Sequence, residues 1–202
     1  MENNFYKKLH PLGLSGATPK TLEQLGVKIE LATEEDWEDY KNLRIEAINT
    51  DPDAFSLTDK KKAARQINRD VSEWKNDTKE QIVVLSKQNS RAVGMTKGIK
   101  REEGVFSINA VYVTPDFRKR NTGADVAREM IEKVLEEIKK NGGTQARLWV
   151  KSSNDNAIKL YENLGFKKIN LISSPKRILE LTGNRPDLLI GWQIMELDII
   201  KK

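Results

Sequence analysis

Apolar and polar residues alternate with two periods along this chain, and the places where the period changes mark its elements. Val27-Lys28-Ile29-Glu30-Leu31 alternates apolar and charged side chains with a period of two, the signature of a half-buried strand. Thr33-Glu34-Glu35-Asp36 follows, with an acid three residues after a threonine, the pattern of a capped helix start. Trp37, Tyr40, Leu43, Ala47 and Ile48 then recur at helical spacing. That helix ends before Asp51-Pro52, because a residue ahead of proline is pushed out of the α region. A second, weaker helix is predicted over residues 60–74. Strand-like runs occupy residues 81–86, 92–100, 105–113 and 145–151. Asn89-Ser90 and Glu103-Gly104 are turn signals short enough to join the first three as antiparallel hairpins.

The strongest helical pattern lies between Val113 and Gln145, where Ala127, Met130, Ile131, Val134, Leu135 and Ile138 form one apolar stripe. Glu129 with Lys133, and Glu136 with Lys140, make i, i+4 pairs on the outer face, and Asn141-Gly142-Gly143 supplies a left-handed stop. Strand, helix and strand form one βαβ unit, so two neighbouring strands should run parallel. Further strands are predicted over 167–173 and 192–199, separated by a loop or short helix containing Pro175 and Pro186. Residues 1–26 carry Pro11, Gly13, Gly16, Pro19 and Gly26 and read as a loosely structured extension with a short helix over 21–25. Residues 27–202 read as a single domain, and the fold class is α/β of the α+β type.

Composition narrows the function classes. A chain of 202 residues holds one well-filled core, and 38% hydrophobic with 32% charged residues is a soluble make-up, neither disordered nor membrane-spanning. No apolar run approaches the ~18 residues a bilayer requires, and Met1-Glu2-Asn3-Asn4 lacks the layout of a secretory signal. The absence of cysteine removes disulfides, thiolate metal sites and cysteine nucleophiles, and fits a reducing cytoplasm. A formal charge of +5 and a pI of 9.2 suit an anionic ligand. The basic residues are nevertheless scattered among 30 acidic ones. Lys60-Lys61-Lys62 and Arg118-Lys119-Arg120 are short and not interleaved with aromatics, which describes a solvated surface rather than a nucleic-acid footprint.

Two segments carry candidate chemistry. The first is the strand-to-helix turn Arg118-Lys119-Arg120-Asn121-Thr122-Gly123-Ala124. Free N–H groups and the helix dipole at such a turn favour a bound phosphate, and the three cations add mobile positive charge. The same features describe a capped helix with solvated basic residues. The second segment is Asn154-Asp155-Asn156-Ala157-Ile158-Lys159-Leu160-Tyr161-Glu162-Asn163-Leu164-Gly165-Phe166, a short helix with Ser153 or Asn154 at its cap. Standing alone, Tyr161 would be a half-buried core aromatic.

Taken together, the two segments resemble the GNAT acetyltransferase superfamily. The turn is similar to its acetyl-CoA pyrophosphate signature R-x-x-G-x-G/A, with Arg118 and Gly123 in the first and last places and Asn121 where the middle glycine stands. Asparagine tolerates the left-handed backbone region, so the turn survives that replacement. The second segment matches N-x-x-A-x-x-L-Y-x-x-x-G-F place for place. The resemblance implies a mostly antiparallel sheet of about six to seven strands flanked by helices, with a parallel pair that splays after a bulge to admit acetyl-CoA as co-substrate. It implies that the backbone of Val111, Tyr112 and Val113 binds the pantetheine and polarises the carbonyl, that residues 118–124 hold the phosphates, and that Asn154 hydrogen-bonds the pantetheine arm. Tyr161 would protonate the departing thiolate as an amine attacks the thioester directly.

Members of this family often carry a glutamate on the strand before the phosphate turn. Phe106-Ser107-Ile108-Asn109-Ala110 has no acid, which leaves Glu102 or Glu103, just ahead of it, or a chain of waters as the base; the two acids read more readily as solvated turn residues. His10, in the extension, reads as a surface residue. The first-helix region, Leu43-Arg44-Ile45-Glu46-Ala47-Ile48 with Asp51-Pro52-Asp53-Ala54-Phe55, resembles that of small bacterial acetyltransferases and would shape the acceptor pocket. Arg44 and Glu46 read there as acceptor contacts or as a surface ion pair. The expected partner is a small-molecule or peptide amine, with no nucleic acid and no membrane, and the expected state a monomer or homodimer. A catalytically silent acyl-CoA-binding sensor or interaction module is the alternative, favoured by Asn121 and the missing strand acid and opposed by Tyr161.

Overall fold

The run Ile82-Val83-Val84-Leu85 places apolar side chains on both faces of a strand, which requires helices above and below it. The computed structural model describes residues 20–55, 60–169 and 190–200. Its strands are β1 (Val27–Leu31), β2 (Ile82–Gln88), β3 (Arg91–Glu102), β4 (Val105–Val113), β5 (Gln145–Lys151), β6 (Lys167–Lys168) and β7 (Trp192–Asp198). Among the described residues they form one sheet in the order β1-β2-β3-β4-β5-β7-β6, antiparallel throughout except for the parallel pair β4–β5. The helices are α1 (Trp37–Thr50), α2 (Lys60–Ile67), α3 (Val71–Glu80), α4 (Lys119–Thr122), α5 (Val126–Lys140) and α6 (Asp155–Asn163). On one face α5 buries Met130, Ile131, Val134 and Ile138 against Val84, Phe106, Ile108 and Leu148. On the other, α1 and α3 bury Tyr40, Leu43, Ala47 and Trp74 against Val83, Leu85 and Met95. The mixed, mostly antiparallel sheet and its single parallel pair are those the sequence predicts.

Three local expectations are corrected. The single helix over 60–74 is two helices: Asp70 caps α3, and its backbone N–H donates to Glu73 Oε1 at 3.2 Å, closing a capping box. Lys133 pairs not with Glu129 but forward with Glu136 and Glu137, each at 3.1 Å. The segment over 21–25 is a single turn, closed by Thr21 and Gln24 bonding each other's backbone N–H. Residues 1–19 with His10, and 170–189 with the rest of the strand predicted over 167–173 and the loop of Pro175 and Pro186, lie outside the described residues.

One irregularity positions everything that follows. Across β3–β4, Met95 faces Tyr112 and Lys97 faces Asn109, so Ala110 and Val111 together oppose Thr96. This is a β-bulge, and it bends β4 away from its neighbour. Accordingly β4 pairs with β5 only from Val105–Gln145 to Ile108–Leu148, and the two strands part beyond that point. Ala110 takes a left-handed backbone with φ 56°, a conformation that crowds Cβ. Ala110→Val is therefore expected to cost about 1–3 kcal/mol, and Ala110→Gly nothing, as read from chemical-denaturation midpoints.

Candidate active site

The gap between β4 and β5 begins with backbone groups that no longer pair with β5. Thr114 N–H donates to Val93 O across β3 at 2.9 Å. Strand alternation then turns the amides of Val113 and Val111 the opposite way, toward the edge that β5 has left. A cleft of about 690 Å³ opens there, lined by Val111, Tyr112 and Val113 on one side and by Trp149, Val150 and Lys151 on the other. Its rim is cationic: Arg118, Lys119, Arg120, Arg128, Lys151 and Lys159 line it, with Asp125 the one acid among them.

The turn that follows β4 is more closed than its sequence suggests. Residues 119–122 coil into α4, so Asn121 and Thr122 N–H donate to Arg118 O, Gly123 N–H to Lys119 O, and Ala124 N–H to Thr122 Oγ1. The left-handed residue of the turn is Gly123, with φ 79°, and not Asn121. Asn121 lies within α4, and its Nδ2 donates to Pro115 O at 2.6 Å. The amides of Lys119 and Arg120 are left without a backbone partner among the described residues. Nor is Arg118 mobile: its Nε donates to Val113 O at 3.0 Å and its Nη2 pairs with Asp51 Oδ2 at 2.5 Å. Lys119 pairs with Asp125, whose Oδ1 also accepts Arg128 N–H and caps α5. Arg120 alone of the three cations has no acidic partner among the described residues. Of the predicted cofactor residues, Val111, Tyr112, Val113, Arg118, Lys119, Arg120 and Asn154 line the cleft, whereas Asn121, Thr122, Gly123 and Ala124 do not.

Across the cleft, α6 begins at Asn154, whose Oδ1 accepts Ala157 N–H at 3.1 Å. Tyr161 follows two turns later, 7% exposed, its ring edge-on to Phe166 at 6.0 Å. Its hydroxyl has no hydrogen-bond partner among the described residues, and burial raises its pKa to about 12. A second cavity of about 450 Å³ lies beyond it, and Tyr161 lines both, together with Ala54, Val111 and Trp149. One buried proton donor thus stands where two cavities meet.

The family model described as Acetyltransferase (GNAT) family matches residues 36–166, a span that contains both cavities' principal walls. The chain belongs to this family. Among curated relatives of this GNAT chain are an uncharacterized N-acetyltransferase of Methanocaldococcus jannaschii and the [ribosomal protein bS18]-alanine N-acetyltransferase of Escherichia coli. The first is 36% identical over 40% of this chain and 33% of its own length. The second is 30% identical over 49% of this chain and 60% of its own. The matches thus span less than two thirds of either relative. Solved structures of the same fold include a GNAT-family acetyltransferase from Streptococcus pneumoniae, with TM-score 0.61, 15% identity, and coverage of 85% of this chain and 98% of that one. Another, from Salmonella typhimurium, was solved with its cofactor acetyl-CoA, with TM-score 0.59, 15% identity, and coverage of 86% and 94%. Acetyl-CoA is the co-substrate that fits this family, and the cleft suits such a polyanion: a cationic rim leads inward to unpaired strand amides.

The sequence-based acids do not reach this GNAT site. Glu102 ends β3 and pairs with Arg147 at 3.1 Å, and Glu103 stands in the adjoining turn. Both lie at the far end of β4, about 20 Å of strand from Val111. Glu46 does not pair with Arg44; it accepts the Tyr112 hydroxyl at 2.9 Å. Arg44 instead faces the second cavity, with its guanidinium 4.7 Å over the Phe55 ring. Phe117, Trp149, Lys151 and Lys159 line the cleft without having been singled out in the sequence, since only the topology brings them together. Among the described residues there is no cluster of metal-ligating side chains and no helix long and apolar enough to cross a membrane.

Proposed function

We propose that this chain is an N-acetyltransferase that moves the acetyl group of acetyl-CoA to a primary amine by direct attack. The observation that carries the reading is Tyr161, buried and protonated at the meeting point of the two cavities. Acetyl-CoA supplies an activated thioester. The cationic rim, with Arg120 and the amides of Lys119 and Arg120, receives its phosphates. Asn154 Nδ2 and the amides of Val111 and Val113 bind the uncharged arm, and one strand amide polarises the carbonyl as charge develops on it. Tyr161 hands its proton to the sulfur as the bond to carbon breaks. The amine comes from the second cavity, where Val111 and Trp149 form the common wall.

A non-catalytic acyl-CoA binder is the second reading, because most amides of the phosphate turn are already bonded within it. Calorimetry with acetyl-CoA, followed by free-thiol release over a set of amines, separates the two. Binding with amine-dependent thiol release is the expected result. Binding without release under any amine would leave the binder, and no binding at high micromolar acetyl-CoA would sink both.

A further inference from the structure

The second cavity has a charge that its size alone would not require. Its walls are mostly polar, with the aromatic rings of Tyr40, Phe55, Trp149 and Trp192 set among them beside Tyr161, and about 450 Å³ suits a small molecule. Arg44, Arg69, Lys97 and Arg101 also line it, and no Asp or Glu does among the described residues. One carboxylate lies behind this wall: Asp77 Oδ2 is shared by Arg69 Nη1 at 2.9 Å and Lys97 Nζ at 3.1 Å. Glu73 takes a further bond from Arg69 Nε at 3.2 Å. Arg44 and Arg101 have no carboxylate partner among the described residues. Arg101 Nε meets only the Ser107 hydroxyl, at 2.7 Å. Arg44 Nη1 is fully buried with no hydrogen-bond partner among the described residues.

A guanidinium nitrogen buried without a hydrogen-bond partner is costly, and the cost is recovered when an anion pairs with the group. We propose that the acceptor is a small primary amine bearing an acidic group, a carboxylate or phosphate, which Arg44 and Arg101 receive while the amine lies toward Tyr161. This rests on the transfer reading above. It also addresses the missing base. Four cations in the wall outnumber Asp77, Glu73 and the acceptor's own acid together. An ammonium there is disfavoured relative to the neutral amine, so the pocket itself promotes the deprotonated nucleophile. Polyamines and lysine-rich peptides, which bring only further positive charge, are poor acceptors in such a pocket.

The test compares matched acceptors with the full chain and acetyl-CoA, monitored by thiol release. Aromatic and aliphatic amino acids are set against their carboxamides, aminoalkyl phosphates against the corresponding amino alcohols, and spermidine is included. Acidic members should exceed their uncharged partners by about 10- to 100-fold in kcat/KM, and the two acidic arms tell carboxylate from phosphate. Arg44→Met should bring that ratio close to one, mainly through KM. Arg101→Gln, an exposed position, should lower it in the same direction. Acetyl-CoA affinity serves as the folding control, because neither residue lines the cofactor cleft. Preference for spermidine or the uncharged partners, or a ratio that survives both substitutions, overturns the proposal. Should acetyl-CoA bind but no amine release thiol, the transfer reading fails, and calorimetry of the same acids with the CoA-bound protein decides the pocket. Binding that Arg44→Met abolishes supports it, and no binding to the wild type refutes it.

Discussion

A Tyr161→Phe variant is expected to bind acetyl-CoA as the wild type does and to turn over at least tenfold more slowly. The substitution removes one oxygen and leaves the ring, so the edge-on contact with Phe166 persists. The hydroxyl holds no hydrogen bond among the described residues, and its loss leaves no buried partner stranded. What disappears is the proton for the leaving thiolate, and general acid catalysis of this kind contributes about 10²- to 10⁴-fold. Burial pushes the phenol up to about 12, so the donor form is complete at neutral and mildly alkaline pH. The wild-type rate should therefore show no fall from this residue between about pH 7 and pH 10. Calorimetry and thiol release on both proteins check the expectation. Equal turnover would remove Tyr161 from the role.

The second large effect concerns stability. Asp77→Ala is expected to destabilise the fold by about 3 kcal/mol or more, because it strands two half-buried cations that share this carboxylate. Burial alone would raise the pKa of Asp77, but the hydrogen bond from Arg69 and the charge of Lys97 outweigh it and hold the carboxyl below its ordinary value. A group depressed in the folded state contributes stability above its unfolded pKa and loses it as pH falls through the folded one. The gap between wild type and variant should thus be full at neutral pH and narrow below about pH 4, as urea unfolding at the two conditions would show. A gap that is unchanged in acid would mean that the carboxylate's charge is not what stabilises the site.

The sheet and its helices were legible because each is built on an apolar period. The stripe from Met130 to Ile138 could bury itself in one way only, and β2, apolar on both faces, could lie only between two helical layers. The α6 segment was legible for another reason: Asn154, Tyr161 and Gly165 are close in sequence, so their spacing carries their geometry. Other features escaped for physical reasons. The break between α2 and α3 turns on Asp70 and Glu73, a short polar capping signal inside a basic stretch that otherwise continues the helix. The tethering of Arg118 involves Asp51, a partner 67 residues away in the chain. The cationic pocket draws Arg44 from α1, Arg69 from the α2–α3 link, and Lys97 and Arg101 from β3. No local spacing can announce a constellation assembled from that many elements. Glu102 and Glu103 are exposed at the β3–β4 hairpin, in line with their reading as solvated turn residues; nearness in sequence to a strand says nothing about which of its ends faces the cleft.

The parting of β4 and β5 also bears on how the protein comes into being on the ribosome. From Trp149 to Lys151, β5 has no strand partner on its β4 side among the described residues and pairs with β7, through Trp149–Ile194, Val150–Gln193 and Lys151–Trp192. A nascent chain that has emerged only as far as α6 has both motif segments in hand and one wall of its cleft still unsupported. That wall becomes a sheet strand only once residues 192–198 are released, so the cleft is completed after the α6 segment has emerged rather than in step with it.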